Sequence, residues 1–118
     1  MTPVVTVLTR RLLLRPFQPA DAEAVHCLAA SQEVAAGTFL PHPMDLQAAQ
    51  DWIMDRVKDQ SAGTGVTFAI TLAENTKVIG SIGMELIPAH EQGRLSYWLG
   101  RDYWNRGYGT EAVTALVE

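Results

Sequence analysis

Between Thr67 and Leu72 the chain alternates: Phe68, Ile70 and Leu72 carry large apolar side chains, and the smaller Thr67, Ala69 and Thr71 separate them. A period of two puts the large residues on one face of a β-strand. Val78–Ile87 reads as a second strand, interrupted by Gly80 and Gly83. Residues 94–99 read as a third, with Leu95, Tyr97 and Leu99 on one face and Ser96 and Trp98 on the other. The turn at 74–77 and the loop at 88–93 are short, so these strands should form an antiparallel meander. Near the N-terminus, residues 11–17 read as a strand stopped by Pro16, preceded by a short β-prone run at residues 4–8.

Elsewhere the period lengthens to that of a helix. Pro19 and Asp21 open one that runs to about Ser31, with Val25, Leu28 and Ala29 on one face. Gly37, Pro41 and Pro43 mark residues 36–44 as a loop. Asp45 is a plausible N-cap. Behind it Leu46, Ala49, Trp52, Ile53 and Val57 repeat at helical spacing to about Gln60. A last helix starts near Tyr108, with Ala112, Val113, Leu116 and Val117 on its apolar side. The order β-α-α-β-β-β-α gives an α+β class, a mostly antiparallel sheet flanked by helices. Nothing sheet-like follows the last helix, so the sheet is expected to be incomplete at the C-terminus, with an exposed edge and apolar face. That predicts a homodimer in which the region from Arg94 to Glu118 meets a second copy.

Composition narrows the options. The 118 residues make one domain, and 47% apolar against 19% charged excludes disorder. One cysteine, Cys27, excludes an internal disulfide framework and a cysteine zinc cage. Cys27, on the first helix, is read as a buried small hydrophobe. The histidines are scattered and suggest no metal site. No apolar run is long enough for a bilayer and no signal-peptide order opens the chain, so no membrane association and a cytoplasmic location are expected. A net charge of −4 argues against a nucleic-acid partner.

The chemistry concentrates in Trp98-Leu99-Gly100-Arg101-Asp102-Tyr103-Trp104-Asn105-Arg106-Gly107-Tyr108-Gly109-Thr110-Glu111-Ala112. It is a strand end, a loop with glycines and a helix start. Such a turn offers backbone N–H groups, and the positive helix end adds to them, so it can hold a phosphate or pyrophosphate. Arg106 could add a charge contact. Glycine at a helix entry can equally serve close packing. The P-loop pattern is absent, and the glycines follow the last strand rather than the first, unlike a dinucleotide fold.

That segment resembles the acetyl-coenzyme A motif of the GCN5-related N-acetyltransferase (GNAT) superfamily, in the branch of the ribosomal-protein N-terminal acetyltransferases. Thr9-Arg10-Arg11-Leu12-Leu13-Leu14-Arg15-Pro16-Phe17 resembles that branch's first strand, and Val78-Ile79-Gly80-Ser81-Ile82-Gly83 its third. The resemblance implies an acyl-CoA N-acyltransferase fold with a mixed, mostly antiparallel sheet, residues 1–118 being the N-terminal two-thirds of the family domain. It implies a bulge in the strand at 94–99, pantetheine pairing around Trp98 and Leu99, and pyrophosphate on the amides of Asn105, Arg106, Gly107, Tyr108, Gly109 and Thr110. Acetyl-CoA is then the donor, and a small-molecule or peptide amine attacks the thioester directly. The portion that closes the family's cleft and protonates its thiolate would be missing.

The chain departs from the pattern in places. Trp104 stands where the superfamily has Gln or Arg, and Arg94 where branch members often carry a glutamate. Glu85 and Ser96 are the surrogate catalytic candidates, although a solvated carboxylate and a structural serine are the plain alternatives. His90 and Glu91 sit in the connecting loop. Phe39 and His42, in the family's acceptor region, and Tyr97 are candidate substrate contacts, with ordinary packing as their alternative. Glu111 reads as a complement to the helix dipole. A non-catalytic acyl-CoA-binding remnant and an interaction module are the competing readings.

Overall fold

The computed structural model describes residues 6–29, 45–62, 65–87 and 92–117. Strands β1 (Val7–Leu8) and β2 (Leu12–Pro16) are followed by a single 3-10 turn (Pro19–Asp21) and helix α1 (Ala22–Ala29). Helix α2 (Leu46–Ala62) leads into β3 (Gly65–Leu72), β4 (Val78–Ile87) and β5 (Gln92–Leu99). A second 3-10 turn (Arg101–Tyr103) precedes helix α3 (Tyr108–Val117). Among the described residues the five strands lie in sequence order, β1 to β5, each antiparallel to its neighbour. The short connections between β3, β4 and β5 leave no other pairing within reach.

Both sheet faces are covered, so alternation alone separates two cores. Leu12, Leu14, Phe68, Ile70, Leu72, Ile79, Ile82 and Leu99 pack with Ala112 of α3. On the other face Ala69, Val78 and Trp98 pack with Val25 and Ala29 of α1 and Ala49 and Ile53 of α2. Phe17, Trp52 and Trp98 meet edge-on there, with ring centres 5.2 Å and 6.2 Å apart. The Ala48 N–H donates to Asp45 Oδ1 at 2.7 Å, which is the N-cap expected for α2. Only the middle of the α2 stripe is buried: Leu46 and Val57 are exposed. Cys27 is exposed too. It lies about 200° around the helix from Val25, on the side away from the sheet, so the expectation of a buried thiol is corrected.

Ile79 and Ile82 share a face although they are three apart. Ile70 pairs with Gly80 and Thr71 with Val78, so Ile79 is an extra residue in β4, a β-bulge that resets the alternation. A Cβ on Gly80 would stand 2.2 Å from the Trp98 carbonyl oxygen, so only glycine permits this approach of β4 to β5. The bulge was expected in the strand at 94–99. Instead β5 pairs with β4 without a break from Leu99 opposite Gly80 to Gln92 opposite Ile87.

The apolar side of α3 is not left open. Ala112 is fully buried, and Val113 and Leu116 are partly buried against the same core. The chain's own sheet thus covers Ala112 and much of Val113 and Leu116, three side chains that were expected to need a second copy. The outer edge of β5 pairs with no described residue.

Candidate functional site

At the end of β5 the chain turns away from the sheet. The Gly100 N–H donates to the Ile79 carbonyl at 2.9 Å, and a Cβ on Gly100 would stand 2.5 Å from a methyl carbon of Leu28. Trp104 Nε1 donates to the Leu99 carbonyl at 2.9 Å and pins the loop back onto the strand. Asn105 and Gly107 then take left-handed backbone, with φ of 61° and 81°. Left-handed residues placed next to right-handed ones turn successive N–H groups into one concavity, which suits an anion. Helix α3 follows at once, its first ladder bond running from the Glu111 N–H to the Gly107 carbonyl at 3.0 Å. The N–H groups of Tyr108, Gly109 and Thr110 therefore have no acceptor within the helix, and they lie at its positive end. Arg106 is exposed, and its Nε donates to the Asp102 carbonyl at 3.1 Å.

Gly109 is buried under a side chain from β5. A Cβ there would stand 2.6 Å from Cε2 of Tyr97. Tyr97, half exposed, thus covers the first turn of α3 on the face opposite Trp98. The candidate sites separate accordingly. Ser96 is exposed on the Trp98 face, directly across from Gly83, and the backbone of Glu85 occupies a position on that same face. Tyr97 lies against the start of α3 instead. Because the Gly100 N–H is bonded to Ile79, the alternation of an antiparallel ladder turns the Trp98 backbone toward β4 and the backbone groups of Tyr97 and Leu99 outward. The Trp98 indole is buried, and its Nε1 has no partner among the described residues. Phe39, His42, His90 and Glu91 lie outside the described residues.

What holds the loop in place comes from the other end of the chain, where no local pattern announces it. Glu111 Oε1 accepts from Arg11 Nε at 2.7 Å, and Oε2 accepts from the Arg11 N–H at 2.9 Å and from the Thr9 hydroxyl. Arg11 Nη1 donates to the Arg106 carbonyl at 3.0 Å, and the guanidinium lies 4.5 Å from the centre of the Tyr108 ring. Burial pushes the Glu111 carboxyl up, but hydrogen bonds from Thr9 and Arg11 and the Arg11 charge outweigh it and hold it below the usual range. Glu111 is therefore a tertiary anchor as well as a charge near a helix start. A second pair, Arg15 with Asp21, joins β2 to the turn before α1.

The sequence matches the model of the acetyltransferase (GNAT) domain over residues 11–118. It is 33% identical over 116 residues to the uncharacterised N-acetyltransferase p20 of Bacillus licheniformis, a match covering 96% of this chain and 64% of p20. The chain thus spans just under two thirds of that relative's length. Among solved structures it is similar to a candidate ribosomal-protein-serine acetyltransferase from Vibrio cholerae, with 28% identity and a TM-score of 0.82 over 99% of this chain and 67% of that one. An acetyltransferase from Agrobacterium tumefaciens is similar at 28% identity and a TM-score of 0.76, with the same shares covered.

Proposed function

The chain belongs to the GNAT acetyltransferase domain family, and on that premise we propose that it moves an acetyl group from acetyl-CoA to a primary amine. One observation carries the reading: left-handed Asn105 and Gly107 open directly into α3 at the end of a strand whose outer edge pairs with no described residue. The loop's geometry fits a pyrophosphate, since it concentrates N–H groups at a helix start without needing a cluster of cations. In this proposal the amides of residues 105–110 hold the pyrophosphate, and the pantetheine arm pairs with the outward Leu99 N–H and with the backbone of Tyr97 in place of the expected Trp98, whose backbone groups face β4. Acetyl-CoA supplies a thioester whose carbonyl carbon forms the new C–N bond as its C–S bond breaks, and coenzyme A leaves as a thiolate that takes up a proton to become the free thiol. The attacking amine must be neutral, so the chain has to accept a proton. Ser96 could hold a water for that purpose, and Glu85, on the same sheet face, is the carboxylate we assign as its acceptor.

For the amine, similarity to the Vibrio cholerae protein, named for a ribosomal-protein serine, supports a protein or peptide acceptor over a small metabolite. A homodimer is the assembly we propose, through residues 92–95 of β5, whose outer edge pairs with no described residue and lies clear of the positions given to the pantetheine arm. A cytoplasmic location accords with the pool of acetyl-CoA that the reaction would draw on. Among the described residues no helix is long and apolar enough to cross a membrane.

The test is thiol release from acetyl-CoA against a panel of peptide N-termini, polyamines and aminoglycosides. Amine-dependent release, greatest for a peptide, is expected. Binding of coenzyme A with no turnover on any amine would favour a non-catalytic acyl-CoA-binding domain instead. Sedimentation showing only monomers would remove the dimer.

A further inference from the structure

One guanidinium reaches a consecutive stretch of the loop and helix. Arg11 Nε binds Glu111, Nη1 binds the Arg106 carbonyl, and Nη2 would stand 3.3 Å from a Cβ placed on Gly107. Its plane covers Tyr108 at 4.5 Å. Arg11 is itself fixed. Its residue closes the tight turn between β1 and β2, where the Thr9 N–H donates to the Leu12 carbonyl at 2.8 Å, and its own carbonyl accepts from Ala73 at 2.8 Å. Thr9, in the same turn, accepts from the Leu12 N–H at 3.0 Å and donates to Glu111.

Left-handed backbone at a residue such as Asn105 persists only where the surroundings impose it. Arg106, between the two left-handed residues, has its carbonyl held from outside the loop by Arg11. An unpaired carboxylate at Glu111 would also stand one turn from the amides meant for an anion, and would repel it. Pairing with Arg11 removes that repulsion and ties the loop to the sheet in one contact. We infer that Thr9, Arg11 and Glu111 form a positioning clamp for the anion-receiving loop. The turn between β1 and β2 is thereby part of the donor site, although 100 residues separate Arg11 from Glu111. None of the three is assigned contact with the donor. The inference rests on the acetyl-CoA reading above.

The clamp makes a prediction opposite in sign to simple electrostatics. Glu111→Gln removes a negative charge beside an anion site, so Coulomb's law alone predicts tighter binding of coenzyme A. The clamp predicts weaker binding, by about fivefold or more, the lower end of ordinary coupling between linked sites. Calorimetric titration of the chain with coenzyme A decides between them. Arg11→Gln should weaken binding similarly, and the double variant should lose little more than either single one, because both break one unit. Thr9→Val, which removes a hydroxyl at nearly constant volume, should show a smaller loss in the same direction and serves if the other variants fold poorly. In steady state, KM for acetyl-CoA should rise in each variant while KM for the amine stays unchanged, a split that general loosening of the fold would not produce. Equal or tighter binding by Glu111→Gln, or additive losses in the double variant, overturns the clamp while leaving the acetyl-CoA reading intact. No coenzyme A binding by the unaltered chain overturns both.

Discussion

Two arginine–carboxylate pairs flank β2 and use the same chemistry to different ends. Arg15 and Asp21 meet through two bonds of 2.9 Å, with side chains only 20% and 9% exposed. Asp21 also accepts the Gln18 N–H at 2.8 Å, so its carboxylate shapes the entry to α1. The partners are six residues apart, and the pair closes a local corner. Arg11 and Glu111 are 100 residues apart and wetter, at 41% and 18% exposed. Their bonds end on the loop before α3 rather than in a core. Removing one partner of a well-buried pair leaves a stranded charge, which is strongly destabilising. Removing one partner of an exposed pair costs little stability. The difference teaches that the backbone a pair holds, more than the pair's strength, decides whether it serves the fold or the site.

The sharpest way to break the comparison is Asp21→Ala. It should cost about 3 kcal/mol in chemical denaturation, while the coenzyme A affinity of the folded fraction stays unchanged. Loss of affinity at full stability would merge the two regions into one. Next, Gly109→Val places side-chain atoms where the Tyr97 ring lies, since even a Cβ would stand 2.6 Å from it. Shifting the ring and the first turn of α3 should weaken coenzyme A binding at least tenfold, or about 1.4 kcal/mol. Calorimetry would read it directly.

Glu111→Gln should be the mirror image of Asp21→Ala: an affinity change with a stability loss below about 1 kcal/mol. A larger loss by urea melting would place this pair with the structural ones. Acidification addresses both regions. For Asp21, burial raises the carboxyl, but hydrogen bonds from Arg15 and the Gln18 backbone and the Arg15 charge prevail, so it is lowered, as Glu111 is. Lowered folded values mean that both contributions are complete above the ordinary carboxylate range, near about pH 4. They are lost as pH falls through the depressed folded values. Asp21→Asn and Glu111→Gln should each flatten the acid limb of the stability curve, measured as urea midpoints from about pH 5 downward. The smallest effect is expected at Cys27, which is exposed on α1. Cys27→Ser should shift stability by less than about 0.5 kcal/mol, and a thiol reagent should titrate Cys27 in the native chain.

Much of this molecule was written in local pattern. The strands β3 to β5, the Asp45 cap and the start of α3 at Tyr108 follow from side-chain period, turn residues and short connections, all of which act over a few residues. The turn before α3 was legible for the same reason, because glycine takes left-handed backbone such as that of Gly107 without steric cost. Even the exposure of Cys27 was implicit in the face formed by Val25, Leu28 and Ala29, which it does not share.

The remainder needed the folded sheet. Nothing near Glu111 in sequence announces Thr9 and Arg11, and nothing in the 94–99 run shows that the bulge belongs to Ile79 on the neighbouring strand. Alternation puts Tyr97 and Trp98 on opposite faces of β5, but only the folded sheet shows that one lies over Gly109 and the other in the core. The sequence by itself determined the elements, their order and the chemistry the loop can offer, because propensity and periodicity are short-range. Tertiary structure alone decided which distant charge holds that loop and which edge of β5 faces outward. Those outcomes depend on strand register and helix placement, which become fixed only when elements far apart in the chain bury one another's surfaces.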